Sequence, residues 1–165
     1  MISPRQAAAG IAITAALLVA TVQREGYTDH PVIPVPGDVP TEGFGRTTGE
    51  MYPKTEPVRE LVFMLDALEN NYAKAVRRCV SAPLYQREFD ALVSLAYNAG
   101  GGAVCREIAP RFNAAADEAD YAAACEAMRT WRATVRGRDC RDRRNNCRGL
   151  VTDRARDANK CLGLA

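Results

Sequence analysis

The hydrophobic and polar positions divide the chain into an apolar run, a turn-rich stretch and a series of helical patterns. Residues 7–22 carry no charge, and seven of these sixteen are alanine. Arg24-Glu25-Gly26-Tyr27 then leads into residues 30–49, which are rich in glycine and proline. Four prolines and Gly37 within residues 30–40 exclude helix there. Gly43, Gly45 and Gly49 punctuate short strands and turns over residues 41–48. From Thr55 the spacing turns helical, with Val58, Leu61, Val62, Leu65, Leu68 and Tyr72 three or four residues apart. Thr55 is the candidate N-cap, and Pro57 sits in the first turn, where proline is tolerated. Phe89, Leu92, Val93, Ala96 and Tyr97 mark another helix face, ended by Gly100-Gly101-Gly102. Further helices are predicted over 103–113, 117–131 and 150–162, with a polar loop over 137–148. The pattern predicts a mainly α chain of α+β type, a helical domain with a small N-terminal β-rich lobe. The 165 residues suit one domain with a real core.

The apolar run has three readings. As a helix its sixteen residues span ~24 Å, short of the ~30 Å hydrocarbon core of a bilayer. Ile11, Ile13, Leu17, Leu18, Val19 and Val22 favour lipid, which sums to roughly −2 to −4 kcal/mol of insertion energy before the cost of Gly10, Thr14 and Thr21. Such a helix can enter a membrane and leave it again. A cleaved export signal fits less well, because Leu18 stands two residues before Ala20 and Val22 is not small. A buried helix of a soluble domain also matches the length.

Composition adds two points. Residues 126–160 hold eleven basic and five acidic residues, leaving eleven basic and fifteen acidic for the rest, so the net charge of +2 hides a basic C-terminal third. That third suits an anionic polymer or membrane surface, against the plainer reading of a solvated arginine face. The six cysteines form no C-x-x-C pair, and there is one histidine, which argues against zinc. With export they predict three disulfides; without it they are six reduced thiols. Of fifteen connectivities the expected one is Cys79–Cys105, Cys125–Cys161 and Cys140–Cys147. The first joins two neighbouring helical segments, the second ties the last helix to the body, and the third closes the polar loop.

Glu25 at the end of the apolar run, facing a turn-rich lobe, is a candidate general acid. It leads to Thr41-Glu42-Gly43-Phe44-Gly45-Arg46-Thr47, then to Phe89-Asp90-Ala91-Leu92-Val93-Ser94-Leu95-Ala96-Tyr97-Asn98-Ala99-Gly100, and finally to Trp131 and Gly149-Leu150-Val151-Thr152-Asp153-Arg154. In this order the motifs resemble the phage lysozymes (endolysins), specifically the signal-anchor-release subgroup, over nearly the whole chain. That family pattern is a catalytic Glu, eight residues, an Asp (sometimes Cys), five residues, then a Thr before a Gly-aromatic-Gly turn. Here fifteen residues separate Glu25 from Thr41, one more than the pattern. Counted forward from Glu25 the Asp position falls on Pro34, and counted back from Thr41 it falls on Val35. Asp38 and Asp29 are the nearest carboxylates.

The resemblance implies a lysozyme-like fold with a cleft between its lobes, a signal-anchor helix over residues 1–24 and a catalytic domain over 25–165. It implies a muramidase that hydrolyses β-1,4 bonds between N-acetylmuramic acid and N-acetylglucosamine of peptidoglycan and lyses the host. Glu25 is then the general acid, Asp38 the base for water, and Thr41 a positioner of water or substrate. A lytic transglycosylase using Glu25 alone, or an inactive exported wall-binding protein, are the alternatives. His30 reads as a loop residue and Trp131 as core. No cofactor, metal or nucleic acid is implied. The partners are glycan strands and, transiently, the inner membrane through residues 7–22. The chain is expected as a monomer, anchored and inactive in the host inner membrane, then active in the periplasm.

Overall fold

The structure is a computed structural model that describes residues 4–34, 37–135 and 137–164. The chain divides into two compact units. One, residues 13–71, holds α1 (Ala15–Glu25), the antiparallel pair β2 (Thr28–Val32) and β3 (Thr41–Gly43), and α2 (Pro57–Ala67). The other takes residues 4–12 together with the chain from Tyr72 onward. It holds β1 (Gln6–Ala7), α3 (Lys74–Cys79), β4 (Pro83–Leu84), α4 (Gln86–Ala99), α5 (Gly101–Glu107), α6 (Ala109–Asn113), α7 (Glu118–Ala127), the hairpin β5 (Thr134–Val135) and β6 (Arg138–Asp139), and α8 (Arg148–Leu162).

In the helical unit α4 is the centre. Phe89, Ala91, Leu92, Val93, Leu95 and Ala96 are fully buried, and Glu88, Asp90 and Ser94 are buried with them, so nearly every face of the helix is covered. It packs on α3, α5 and α8. Its polar buried residues are paired: the Ser94 hydroxyl donates to Asp157 at 2.7 Å. The three disulfides join the cysteines as expected, with Cα separations of 5.5, 5.5 and 4.9 Å, inside the range a bridge spans.

Residues 7–22 do not form one helix in this folded state. Gln6–Ala7 pairs with Pro83–Leu84, Ala8–Gly10 makes a 3₁₀ turn, and α1 starts only after Thr14, whose hydroxyl oxygen accepts the Leu17 N–H at 3.1 Å. Ala8 and Ile11 are buried, and Arg77 donates twice to the Ile11 carbonyl, at 2.9 and 2.7 Å. Among the described residues no helix is long and apolar enough to cross a membrane.

The helix over α2 forms as the spacing predicts, but one local expectation is corrected. The apolar stripe Val58, Leu61, Val62 and Leu65 faces outward, Val58 being 75% exposed, while Glu60, Met64 and Leu68 turn inward. The helical period holds, but α2 gives its inner face to a carboxylate that meets Arg46. Thr55 is not the cap of α2, since Glu56 precedes the helix and Pro57 opens it. Thr55 is instead buried, and its hydroxyl donates to the Thr28 carbonyl at 2.8 Å.

Candidate active site

Glu25 is the last residue of α1 because Gly26 leaves the helix with φ +71°, its N–H still bonded to the Val22 carbonyl at 3.1 Å. Tyr27 then anchors the chain: its hydroxyl donates to the Thr55 carbonyl at 3.0 Å and its ring meets Phe44 at 5.2 Å between centroids. Phe44 lies at the tip of a tight hairpin in which Glu42 and Arg46 exchange both backbone hydrogen bonds, at 3.0 and 2.9 Å. The loop Gly43-Phe44-Gly45 needs its glycines. Gly43 has φ +59°, and an added Cβ would stand 2.7 Å from the Glu60 carboxyl carbon. Gly45 has φ +82°, and an added Cβ would stand 3.1 Å from Glu25 Oε2. The hairpin that begins at Thr41 therefore covers the Glu25 carboxyl with glycine backbone. The Glu25 side chain keeps 26% of its surface exposed, and its Oε1 lies 3.4 Å from Arg24 Nε.

A buried charge cluster fixes this hairpin. Arg46 donates to Glu42 and, through Nε at 3.1 Å, to Glu60, and both carboxylates are almost fully enclosed. Its Nη1 also donates to the Thr48 and Glu50 carbonyls at 2.9 and 2.7 Å, and Glu42 accepts the Tyr52 N–H at 2.9 Å. Burial works to lower the basicity of the Arg46 guanidinium, but bonding to Glu60 and the charge of Glu42 outweigh it and raise it. Two desolvated carboxylates persist here because a shared guanidinium and backbone donors meet them. None of Glu42, Arg46 and Glu60 stands out in the sequence as a site residue. The Gly-aromatic-Gly turn between Glu42 and Arg46 is the signal that could have found them.

Thr41 opens β3 opposite Val32, and its hydroxyl donates to the Val39 carbonyl at 3.3 Å. Asp38 lies exposed in the connection before it, with Oδ1 accepting the Val39 N–H at 2.9 Å. Asp38 and Thr41 are thus tied to one residue, while Glu25 meets the same hairpin through Gly45. Pro34 is in the β2–β3 connection, and Val35 lies outside the described residues. The pairing shifts register between Thr28 and Val32: β2 places Asp29, His30 and Pro31 where β3 places only Glu42. Asp29 and His30 are on β2 and bond each other at 2.5 Å, which holds the Asp29 carboxyl below its ordinary range. His30 is therefore a strand residue rather than a loop residue. Trp131 is half-buried, its Nε1 donating to Glu107 at 2.7 Å, so it is not a core residue.

The phage lysozyme family model matches residues 22–157, so the apolar run lies almost wholly outside the match. A probable prophage lysozyme of Escherichia coli (strain K12) is 32% identical over 117 residues, which cover 69% of this chain and 64% of that protein. The chain thus spans a little under two thirds of the length of this curated relative. Among solved structures, an endolysin from Escherichia coli O157:H7 phage FAHEc1 aligns with a TM-score of 0.75 at 26% identity, covering 94% of this chain and 96% of its own. The muramidase domain of SpmX from Asticaccaulis excentricus has the same fold, with a TM-score of 0.73 at 24% identity, covering 92% of this chain and 98% of its own. With most of its length inside the family match, this chain belongs to the phage lysozyme family.

Proposed function

We propose that this protein is an endolysin that cleaves the β-1,4 bond between N-acetylmuramic acid and N-acetylglucosamine in peptidoglycan, with Glu25 as general acid. The observation that carries this reading is the Glu25 carboxyl at the end of α1, held against Gly45 of the Thr41–Arg46 hairpin in a chain of this family. Glu25 protonates the glycosidic oxygen as the bond to the sugar's anomeric carbon breaks. A water adds to that carbon and gives its proton to Asp38, an inverting route that needs two carboxyls on opposite sides of the bond. Thr41 suits a positioning role, because its hydroxyl proton is directed at the Val39 carbonyl and its oxygen remains an acceptor for water.

In the transglycosylase alternative the sugar's own 6-hydroxyl replaces water, and Asp38 has no part. Mass spectrometry of released muropeptides separates reducing ends from anhydro ends. Glu25→Gln is expected to abolish turbidity loss of permeabilised Gram-negative cells while the circular dichroism stays native, because the amide cannot donate the proton. A Glu25→Gln protein that keeps most of its activity removes the assignment.

The same reading places residues 7–22 in the host inner membrane before lysis. Its supports are the weak apolarity of the run and its position outside the family match. On leaving the bilayer the run refolds into β1, the 3₁₀ turn and α1, which carries Glu25 to the hairpin, and the enzyme becomes active in the periplasm. Gly10 and Ala16 are exposed in the folded form, whereas Thr14 caps α1. Gly10→Leu with Ala16→Leu therefore strengthens membrane insertion without touching the cap. The variant is expected to stay with the membrane fraction after an uncoupler is added and to delay lysis. Release as fast as wild type, or wild type already cleaved after the run, contradicts the tether.

A further inference from the structure

The segment from Arg132 to Arg148 is used by none of the chemistry above. It contains seven arginines, no lysine and two acids, Asp139 and Asp142. Its backbone is tightly built. Thr134 pairs with Asp139 and Val135 with Arg138, and Cys140, fully buried, donates its N–H to the Ala133 carbonyl at 2.9 Å. The Cys140–Cys147 disulfide closes the rest, and Asn145 Nδ2 donates to the Asp139 carbonyl at 2.8 Å. The bonds that shape the segment point inward, while Arg138, Arg141, Arg143, Arg144 and Arg148 are all exposed.

The two acids are already engaged, Asp139 with Arg141 at 2.7 Å and Asp142 with Arg144 at 2.6 Å. Those pairs hold both carboxyls below their ordinary range, and with each acid taken up by one guanidinium the segment keeps an excess of positive charge. Arg138, Arg143 and Arg148 carry no ion pair among the described residues.

Two features separate this surface from an ordinary solvated face. Lysine serves solubility as well as arginine does, but only the planar guanidinium fork matches two oxygens of a phosphate at once. Val135, 44% exposed, stands directly opposite Arg138 on the hairpin, and cross-strand partners share one face. An apolar side chain beside a guanidinium suits the headgroup level of a bilayer, where both are accommodated. Peptidoglycan offers carboxylates spaced singly along a flexible polymer. A bilayer offers a dense plane of phosphates, which is the better match for five exposed arginines within eleven residues.

We propose that this disulfide-closed arginine segment is a docking surface for a bilayer carrying anionic phospholipids. Its attraction is long-ranged, screened by salt and independent of the residues that cut the glycan.

The test is co-sedimentation of the full, oxidised chain with vesicles of phosphatidylcholine alone or mixed with phosphatidylglycerol, together with cleavage of purified sacculi. Wild type is expected to bind the mixed vesicles, to ignore the neutral ones, and to lose binding as salt is raised. The variant Arg138→Gln/Arg143→Gln/Arg148→Gln is expected to bind on the order of a hundredfold more weakly, about fivefold per arginine. It should melt like wild type and cleave sacculi at an unchanged rate. No binding by wild type, or equal binding by the variant, overturns the proposal. Binding that resists salt and persists on neutral vesicles overturns it as well, by assigning contact to the apolar N-terminal run. A variant that loses affinity for sacculi but not for vesicles makes the wall the partner instead.

Discussion

Gly45 and Glu25 meet so closely that a single added carbon separates a fitting hairpin from a clash: a Cβ on Gly45 would lie 3.1 Å from Glu25 Oε2. Glycine is needed here twice over, for its φ of +82° and for the space it leaves. Gly45→Ala introduces left-handed strain of about 1–2 kcal/mol. It also pushes the Glu25 carboxyl away from the Thr41 hairpin. Stability is expected to fall by only a few degrees in melting temperature, as about 1 kcal/mol does at this size. Lytic activity should drop tenfold or more, because a small misplacement of a proton donor is costly. Calorimetry beside a turbidity assay checks both. Full activity in Gly45→Ala would show that the hairpin does not position Glu25.

Asp38 and Asp29 make a matched pair for testing the second carboxylate. Asp38 is held to Val39, the residue that also receives the Thr41 hydroxyl, whereas Asp29 is held by the His30 ring. Asp38→Asn is expected to lower kcat by about a hundredfold or more, the size of a lost general base. Asp29→Asn should change it less than about threefold, since that carboxylate is already engaged on β2. Equal and small effects would favour the route that uses the sugar's own hydroxyl.

The parts of this protein that were legible in its sequence are those where local pattern and tertiary burial agree. The apolar residues from Phe89 to Ala96 spell a helix, and the fold buries it on nearly every side. The cysteines flank helical segments or the polar loop, so joining two adjacent helical segments, tying the last helix to the body and closing the polar loop select the three disulfides that the structure holds. In α2 the spacing identifies the helix but not which side is buried: Val58 and Val62 face out, while Glu60 faces in and reaches Arg46. Hydrophobic periodicity finds the helix but cannot tell that its inner face carries Glu60 beside Met64. The N-terminal strand was invisible because two residues, Gln6 and Ala7, are too few to show alternation. Glu25 and Thr41 can be named as candidates from motif order alone, but the Glu42–Arg46–Glu60 cluster beside them depends on contacts made only by the folded hairpin.

Arg5 shows how much that short strand contributes. Its guanidinium lies 3.5 Å from the Tyr121 ring centroid and 4.2 Å from that of Tyr85, and donates to both oxygens of Glu88 at 3.1 and 2.8 Å. Glu88 is buried and also accepts the Tyr85 N–H at 2.8 Å at the start of α4. Arg5→Ala leaves that carboxylate enclosed without its cation, which costs about 3 kcal/mol by analogy with broken buried pairs. Urea denaturation should report the loss. Arg5→Met combined with Glu88→Gln is expected to recover part of it, because neither uncompensated charge nor empty space remains. A loss below about 1 kcal/mol for Arg5→Ala would mean that residues 4–12 do not help hold the helical unit.

Trp131 offers a direct reading of one carboxyl, because it is the sole tryptophan of the chain and its indole N–H donates to Glu107. Arg132 donates to the same carboxylate and is the main reason that Glu107 titrates at about 2; the Trp131 bond adds to the effect. Arg132 has φ +47°, a conformation that L-residues avoid, so the ion pair also steadies an unfavourable backbone. A depressed carboxyl supports the fold fully above its ordinary value of 4.5. That support is lost as the pH falls through about 2, since protonation then removes the acceptor shared by Trp131 and Arg132. Tryptophan fluorescence followed through acid should therefore change near pH 2 and stay flat near 4.5. Far-ultraviolet circular dichroism on the same samples separates this local event from global acid unfolding. Glu107→Gln keeps an oxygen for the indole N–H but has nothing to titrate, so its fluorescence should lack the transition. A wild-type midpoint near 4.5, or a transition that survives in Glu107→Gln, would show that this carboxyl is not what the indole senses.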